Sequence, residues 1–258
     1  MWSSILPGGG FFVFMPRLII FANGILPELE SARRLIQAGD VLIAADGGTE
    51  HILALGLFPS LVIGDLDSLT QDNRRWLDEK GVKIQQYCRD KDETDLELAF
   101  QYAYGAGYRE IIVVGAQGGR LDQTIGNLSL ITKPEFAALD IRFDDGVEEA
   151  FITRGRCGVH GKPGDIVSLI PWNGEVTGVS TEGLRWALRD EPLFTGKTRG
   201  ISNEMVRETA SISLRSGLLL VIHHRQPSHL NESEGENMSH AFSANEKGES
   251  SIIIKEYQ

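Results

Sequence analysis

Two aspartates, Asp65 and Asp67, close the run Leu61-Val62-Ile63-Gly64-Asp65-Leu66-Asp67-Ser68. A short apolar run ended by Gly reads as a buried parallel strand. In open α/β sheets ligands bind beyond the carboxyl ends of such strands. Carboxylates spaced i, i+2 at that edge repel one another unless a cation neutralises them. Hard oxygen ligands suit Mg²⁺, which normally arrives with phosphates. The competing reading is that both aspartates begin a loop and cap the next helix, where Asp is common.

The same event recurs at other strand ends. Asp46-Gly47-Gly48 follows the apolar Val41–Ala45, and Asp90-Lys91-Asp92-Glu93-Thr94-Asp95 follows Ile84–Tyr87. Gly115-Ala116-Gln117-Gly118-Gly119-Arg120-Leu121-Asp122 follows Ile111–Val114, with Asn127 further along the ensuing helix. In a parallel sheet all carboxyl ends lie on one edge, so these clusters can converge. Carboxylates, Gly-rich loops and an arginine together describe a nucleotide–metal site. Glycines let backbone N–H groups approach phosphate, helix N-termini favour anions, and Arg120 can clamp oxygens in a fork. Each cluster also has a plainer explanation. Asp95 behind Thr94 favours the helix macrodipole whatever the function, and Asp122 and Asn127 fit the polar face of a surface helix. Arg120 near a helix start is unfavourable without an anion, which points towards function.

The elements that must carry these residues alternate. Arg17–Ala22, Val41–Ala45, Leu61–Ile63, Ile84–Tyr87 and Ile111–Val114 read as strands. Between them lie helices, with Pro27 expected in the first turn of the first, Thr49 as cap of the second and Thr94-Asp95-Leu96-Glu97 as a capping box. Such alternation predicts a doubly wound, mostly parallel α/β domain over 17–138. Past Lys133-Pro134 the pattern changes to short runs separated by Gly, Pro and Asn: Ile141–Phe143, Glu149–Thr153, Asp165–Ile170, Val176–Ser180, Thr209–Leu214 and Leu218–Ile222. These predict an all-β sandwich or barrel over 139–225. Residues 226–258 are polar and expected to be disordered, with Ser251–Lys255 as a weak edge strand.

The 258 residues carry a net charge of −11 and no basic stripe, which argues against nucleic-acid binding. Part of the excess is a tail effect, since Glu232, Glu234, Glu236, Glu246, Glu249 and Glu256 face only Lys247 and Lys255. Cys88 and Cys157 fit no zinc or redox spacing and suggest idle thiols in a reducing cytoplasm. The first 14 residues lack a basic n-region and a cleavage pattern, so neither a signal peptide nor a membrane span is expected. Residues 1–16 read as an extension, with Met15 an alternative start. Other motifs fail: Gln117 stands where a dinucleotide fingerprint needs Gly, Glu191 where a P-loop at Gly196-Lys197-Thr198 needs its first Gly, and no G-x-S-x-G elbow exists. His223-His224 at a strand end reads as structural rather than as a metal pair.

The ordered set Asp46-Gly47-Gly48, Gly64-Asp65-Leu66-Asp67-Ser68, Asp92-Glu93-Thr94-Asp95, Gly118-Gly119-Arg120-Leu121-Asp122-Gln123 with Asn127, Thr181-Glu182-Gly183-Leu184-Arg185-Trp186 and Gly200-Ile201-Ser202-Asn203-Glu204 resembles the thiamine pyrophosphokinase family over about residues 17–222. Many members of that family carry His where this chain has Gln123. The resemblance implies an α/β catalytic domain, a C-terminal β-sandwich and a homodimer whose active site lies between the first domain of one subunit and the second of the other. It implies transfer of a pyrophosphoryl group from ATP to the hydroxyl of thiamine, giving thiamine diphosphate and AMP. Mg²⁺ would be held by Asp65, Asp67 and Asp95, with Asp46 near or in its shell. Asp46, Gly64, Gly118, Gly119, Arg120, Asp122 and Asn127 would form the ATP site. Asp92 or Asp122 would orient the nucleophile or bind ribose, a choice the residues leave open. Ser202 and Asn203 match the segment that meets the thiamine pyrimidine. Trp186 offers stacking on a cationic ring, although an aromatic in a β-sandwich more commonly belongs to the core. Two other readings stay open: a related pyrophosphokinase acting on a hydroxymethylpterin, against which Ser202-Asn203-Glu204 argues, and a catalytically silent nucleotide- or thiamine-sensing module, which predicts loss of a strand-end carboxylate.

Overall fold

The structure is a computed structural model that describes residues 16–227. The expected extension over residues 1–16 and the polar tail with its edge strand lie outside the described residues, apart from Pro16 and the first positions of that tail.

Strands and helices alternate through the first half: β1 (Leu18–Phe21), α1 (Leu29–Leu35), β2 (Val41–Ala45), α2 (Gly48–Ala54), β3 (Leu61–Gly64), α3 (Gln71–Glu79), β4 (Lys83–Gln86), α4 (Asp95–Ala106), β5 (Glu110–Val114) and α5 (Leu121–Leu130). Then come β6 (Asp140–Asp144), β7 (Glu148–Thr153), β8 (Cys157–His160), β9 (Ile166–Glu182), β10 (Glu191–Leu193), β11 (Asn203–Glu204), β12 (Thr209–Ser213) and β13 (Ser216–His224).

The strands run in the order β4-β3-β2-β1-β5-β6-β7-β13-β9-β12-β8. From β4 to β6 every neighbouring pair is parallel. β1 shows why helices cover both faces. Leu18 and Ile20 enter one core with Ala99 and Phe100 of α4, while Ile19 and Phe21 enter the other with Ala32 of α1 and Ile52 of α2. A strand apolar at every position must be covered on both sides, and period two sends alternate residues to opposite layers. β6, which the change of pattern groups with the later strands, pairs parallel with β5 and extends the α/β sheet.

The later strands are antiparallel and enclose their own core, with Val159, Leu169, Val179, Ile212 and Val221 among its members. The sequence suggests separate strands at Asp165–Ile170 and Val176–Ser180; the structure joins them into β9. Asn173 and Gly174, which resemble a turn, take φ of 63° and 129° within the strand. Left-handed residues inside a strand bend it instead of ending it. The first part of β9 pairs with β13 and β11, and the part beyond the bend with β12, β10 and the start of β13, so one strand links all four.

Three local expectations are corrected. Pro27 precedes α1, which begins at Leu29. Thr49 lies inside α2 and donates its hydroxyl back to the Asp46 carbonyl at 2.8 Å instead of capping. Thr94 does cap α4, accepting from Glu97 N at 3.2 Å, but the Glu97 carboxylate pairs with Lys133 and leaves the capping box half made.

Candidate active site

The parallel strands deliver their carboxyl-end loops to one edge, as the pairings Ala45 with Ile63 and Gly64 with Gln86 require. There Asp46, Asp65 and Asp67 converge, each offering an oxygen within 4.8 Å of the others. Asp46 follows β2 directly, with φ of 42°, and its backbone N–H donates to Ile63 O at 2.8 Å. Leu66, between the other two aspartates, takes φ of 67° while its side chain is buried. Non-glycine residues in that region cost about 1–3 kcal/mol each and persist where packing over-determines them. Here burying Leu66 turns both flanking carboxylates towards the rim. The Asp67 N–H closes the turn on Asp65 Oδ1 at 3.1 Å.

Asp95, at the first position of α4, joins from the neighbouring layer. A Cβ placed on Gly64 would stand 2.9 Å from Asp46 Cβ and 3.1 Å from Asp95 Cγ, so these residues crowd around one backbone point. Burial raises the Asp95 carboxyl above its ordinary value, Lys91 opposes that shift, and repulsion from Asp46 and Asp65 adds to it. Lys91 Nζ lies 3.0 Å from Asp95 Oδ1. Asp46 Oδ1 is buried and has no hydrogen-bond partner. Leaving a buried carboxylate oxygen unpaired is costly, and the donor set here is all hard oxygen. The residues therefore fit a divalent cation of the Mg²⁺ type.

Beside the cluster is a cavity of about 540 Å³ lined by Asp46, Asp95, Lys91 and Asn127, and by Gly118, Gly119 and Arg120 of the loop entering α5. Gly118 and Gly119 have φ of 78° and 74°, a conformation that suits glycine and opens the loop to a ligand. Asn127 donates to Ala116 O at 2.9 Å, tying α5 to that loop. Arg120 does have an anion, since its Nη2 reaches Asp122 Oδ2 at 2.5 Å, and both side chains are exposed. That hydrogen bond holds the Asp122 carboxyl below the usual range. Of the other expected site residues, Gly64, Asp65, Asp67, Asp92 and Asp122 do not line this cavity, and Asp67, Asp92 and Asp122 are exposed.

Residues that motif reading overlooked also line the cavity: Asn23, Gly24 and Ile25 after β1, and Lys91. Their signal was positional, because β1 ends at the same edge as the other strands. His51 of α2 steadies this floor by donating Nε2 to Gly24 O at 2.9 Å.

Ser202 and Asn203 belong to the β half and do not line this cavity. Asn203 is buried and spends its amide on the Trp186 backbone, accepting from Trp186 N at 3.0 Å and donating to Trp186 O at 2.8 Å. It positions that loop. Trp186 is not core: it is 58% exposed, with the Arg185 guanidinium 5.3 Å from its ring centroid. Ile201 and Val206 nearby in sequence are exposed as well.

Comparison with known proteins follows the same division. The thiamin pyrophosphokinase catalytic domain matches residues 32–143, and the thiamin pyrophosphokinase vitamin B1 binding domain matches 158–219. The chain belongs to the thiamine pyrophosphokinase family. It is 29% identical over 184 residues to a thiamine pyrophosphokinase of Bacillus subtilis, covering 70% of this chain and 85% of that one. A thiamine pyrophosphokinase of Oryza sativa is 28% identical over 234 residues, covering 79% and 86%. The crystal structure of the B. subtilis family member superposes with a TM-score of 0.74 at 25% identity, covering 82% of this chain and all of that one. The structure from Geobacillus thermodenitrificans gives 0.72 at 26%, covering 83% and 99%. The strand-end carboxylates described above fall within the catalytic-domain match, and Trp186, Ser202 and Asn203 within the vitamin B1 binding match.

Proposed function

We propose that this chain is a thiamine pyrophosphokinase, transferring the pyrophosphoryl group of ATP to the hydroxyl of thiamine and releasing AMP. The observation that carries this reading is the meeting of Asp46, Asp65 and Asp67 beside a cavity that Asp46, Asp95 and Arg120 line. The hydroxyl must attack the β-phosphorus in line, so catalysis is largely positioning and neutralisation of charge moving to the leaving group. Mg²⁺ held by Asp46, Asp65, Asp67 and Asp95 would supply that neutralisation. Arg120 would exchange Asp122 for the triphosphate, with the Gly118 and Gly119 amides beside it. Asp122, or Asp92 from the loop before α4, would orient the ribose or the nucleophile.

Thiamine would be met by the β half. The exposed indole of Trp186, held by Asn203 next to Ser202, offers a face for a cationic ring. Neither Trp186 nor Ser202 lines the carboxylate cavity of its own chain. A homodimer in which residues 17–138 of one subunit meet residues 139–225 of the other would bring the two halves of the site together. No helix among the described residues is long and apolar enough to cross a membrane; we place the enzyme in the cytoplasm. Incubation with ATP, Mg²⁺ and thiamine should yield AMP and thiamine diphosphate in equal amounts. AMP formed only with a pterin alcohol, or no AMP with any alcohol, rejects the assignment.

A further inference from the structure

The carboxylate cluster already contains a cation. Lys91 sits in the loop before α4, and its side chain is 14% exposed with Nζ 3.0 Å from Asp95 Oδ1. The spacing is i, i+4, but Lys91 precedes the cap Thr94, so this is no pair along a helix face. Nor does it resemble the neighbouring pair Arg89–Asp67, 3.6 Å apart with side chains 81% and 48% exposed. A pair that open contributes little. Lys91 also lines the cavity that Arg120 and the Gly118-Gly119 loop share.

We propose that Lys91 is an internal counter-cation, which neutralises the carboxylate cluster in the free protein, competes with a bare divalent ion, and turns to the phosphates when ion and nucleotide enter together. A divalent ion approaching alone meets an ammonium already seated against one of its ligands, and two cations a few ångströms apart in a partly buried site repel strongly. An ion carrying a triphosphate brings negative charge with it. The ammonium then gains an anion on leaving Asp95, and its flexible stem lets it cross to the cavity without backbone movement. Lysine suits this exchange better than arginine, whose planar fork would hold a carboxylate in two places. The device favours loading of the metal with its nucleotide over loading of the metal alone.

This inference rests on the pyrophosphokinase reading, and its test is separable from that reading. Mn²⁺ is titrated calorimetrically into the nucleotide-free full chain, wild type, Lys91→Met and Lys91→Arg, and inorganic tripolyphosphate is titrated separately into the Mn²⁺-saturated chain. Lys91→Met should bind bare Mn²⁺ about tenfold more tightly and tripolyphosphate about tenfold more weakly, while Lys91→Arg keeps the weak Mn²⁺ binding. Unchanged or weaker Mn²⁺ binding in Lys91→Met overturns the proposal, whether or not the wild type makes AMP from ATP and thiamine. A wild type that makes no AMP while the Mn²⁺ affinities still diverge removes the enzyme assignment and leaves the counter-cation in place.

Discussion

Gly64 is wedged against Asp46. A methyl group on Gly64 would reach within 2.9 Å of Asp46 Cβ, at a position where φ is 151°. Both the space and the backbone conformation therefore demand glycine where β3 delivers its aspartates. Gly64→Ala should push Asp46 and Asp95 apart, lower turnover by about 100-fold and cost roughly 1–3 kcal/mol of stability. Turnover within twofold of wild type would show that the carboxylates need not converge.

The proposed division of the site between two subunits can be read from mixing. Asp67 is half exposed at the rim, so Asp67→Asn should leave the fold intact and abolish turnover, a neutral amide being a poor ligand for a hard cation. Trp186→Ala should impair the thiamine side of the site. Co-refolded in equal amounts, the two inactive variants should recover about a quarter of wild-type activity, because half of the dimers pair unlike chains and each of these has one intact site. Mixtures as inactive as their parents would place both residues in one subunit's site.

A buried ionic network lies at the junction of β6, β7 and β13 and should make the fold sensitive to acid. His223 is fully buried, with Nε2 3.0 Å from Asp165 Oδ2 and Nδ1 3.6 Å from Glu149 Oε2. Arg142 Nη1 donates to Glu149 Oε1 at 2.7 Å, and Arg225 forks onto Asp144 with both bonds at 2.8 Å. Burial alone would raise the Glu149 carboxyl, but His223 and Arg142 outweigh it and hold it at about 2, against an ordinary 4.5. A carboxyl depressed on folding adds stability that is complete above its unfolded value and is lost as pH falls towards its folded one. Urea unfolding should show Glu149→Gln less stable than wild type by about 3 kcal/mol at pH 7. The gap should narrow below pH 4.5 and close near pH 2. A gap independent of pH would mean that Glu149 acts through packing alone.

Periodicity made the α/β half legible. Runs such as Leu18–Phe21 and Leu61–Ile63 are apolar at every position, which only a strand covered on both faces tolerates, and each ends in a residue type that stops a strand. Lys91 and Asn23 were harder to see. A lysine among aspartates in a loop looks like solvated charge, and only the distance to Asp95 shows otherwise. The β half was read less well because Asn173-Gly174 has the composition of a turn. Whether such a pair reverses the chain or bends a continuing strand depends on pairing partners more than 30 residues away.

By itself, the sequence determined the order of strands and helices in the α/β half and which carboxylates, glycines and arginine close the parallel strands, since these follow from local pattern and residue chemistry. It also determined the family resemblance. The tertiary structure alone decided that Asp46, Asp65 and Asp67 meet, that Gly64 has no room for a side chain, and that Trp186 faces solvent while Asn203 does not. Convergence and exposure are set by register and packing between segments distant along the chain, and those distances are not written in the local order of residues.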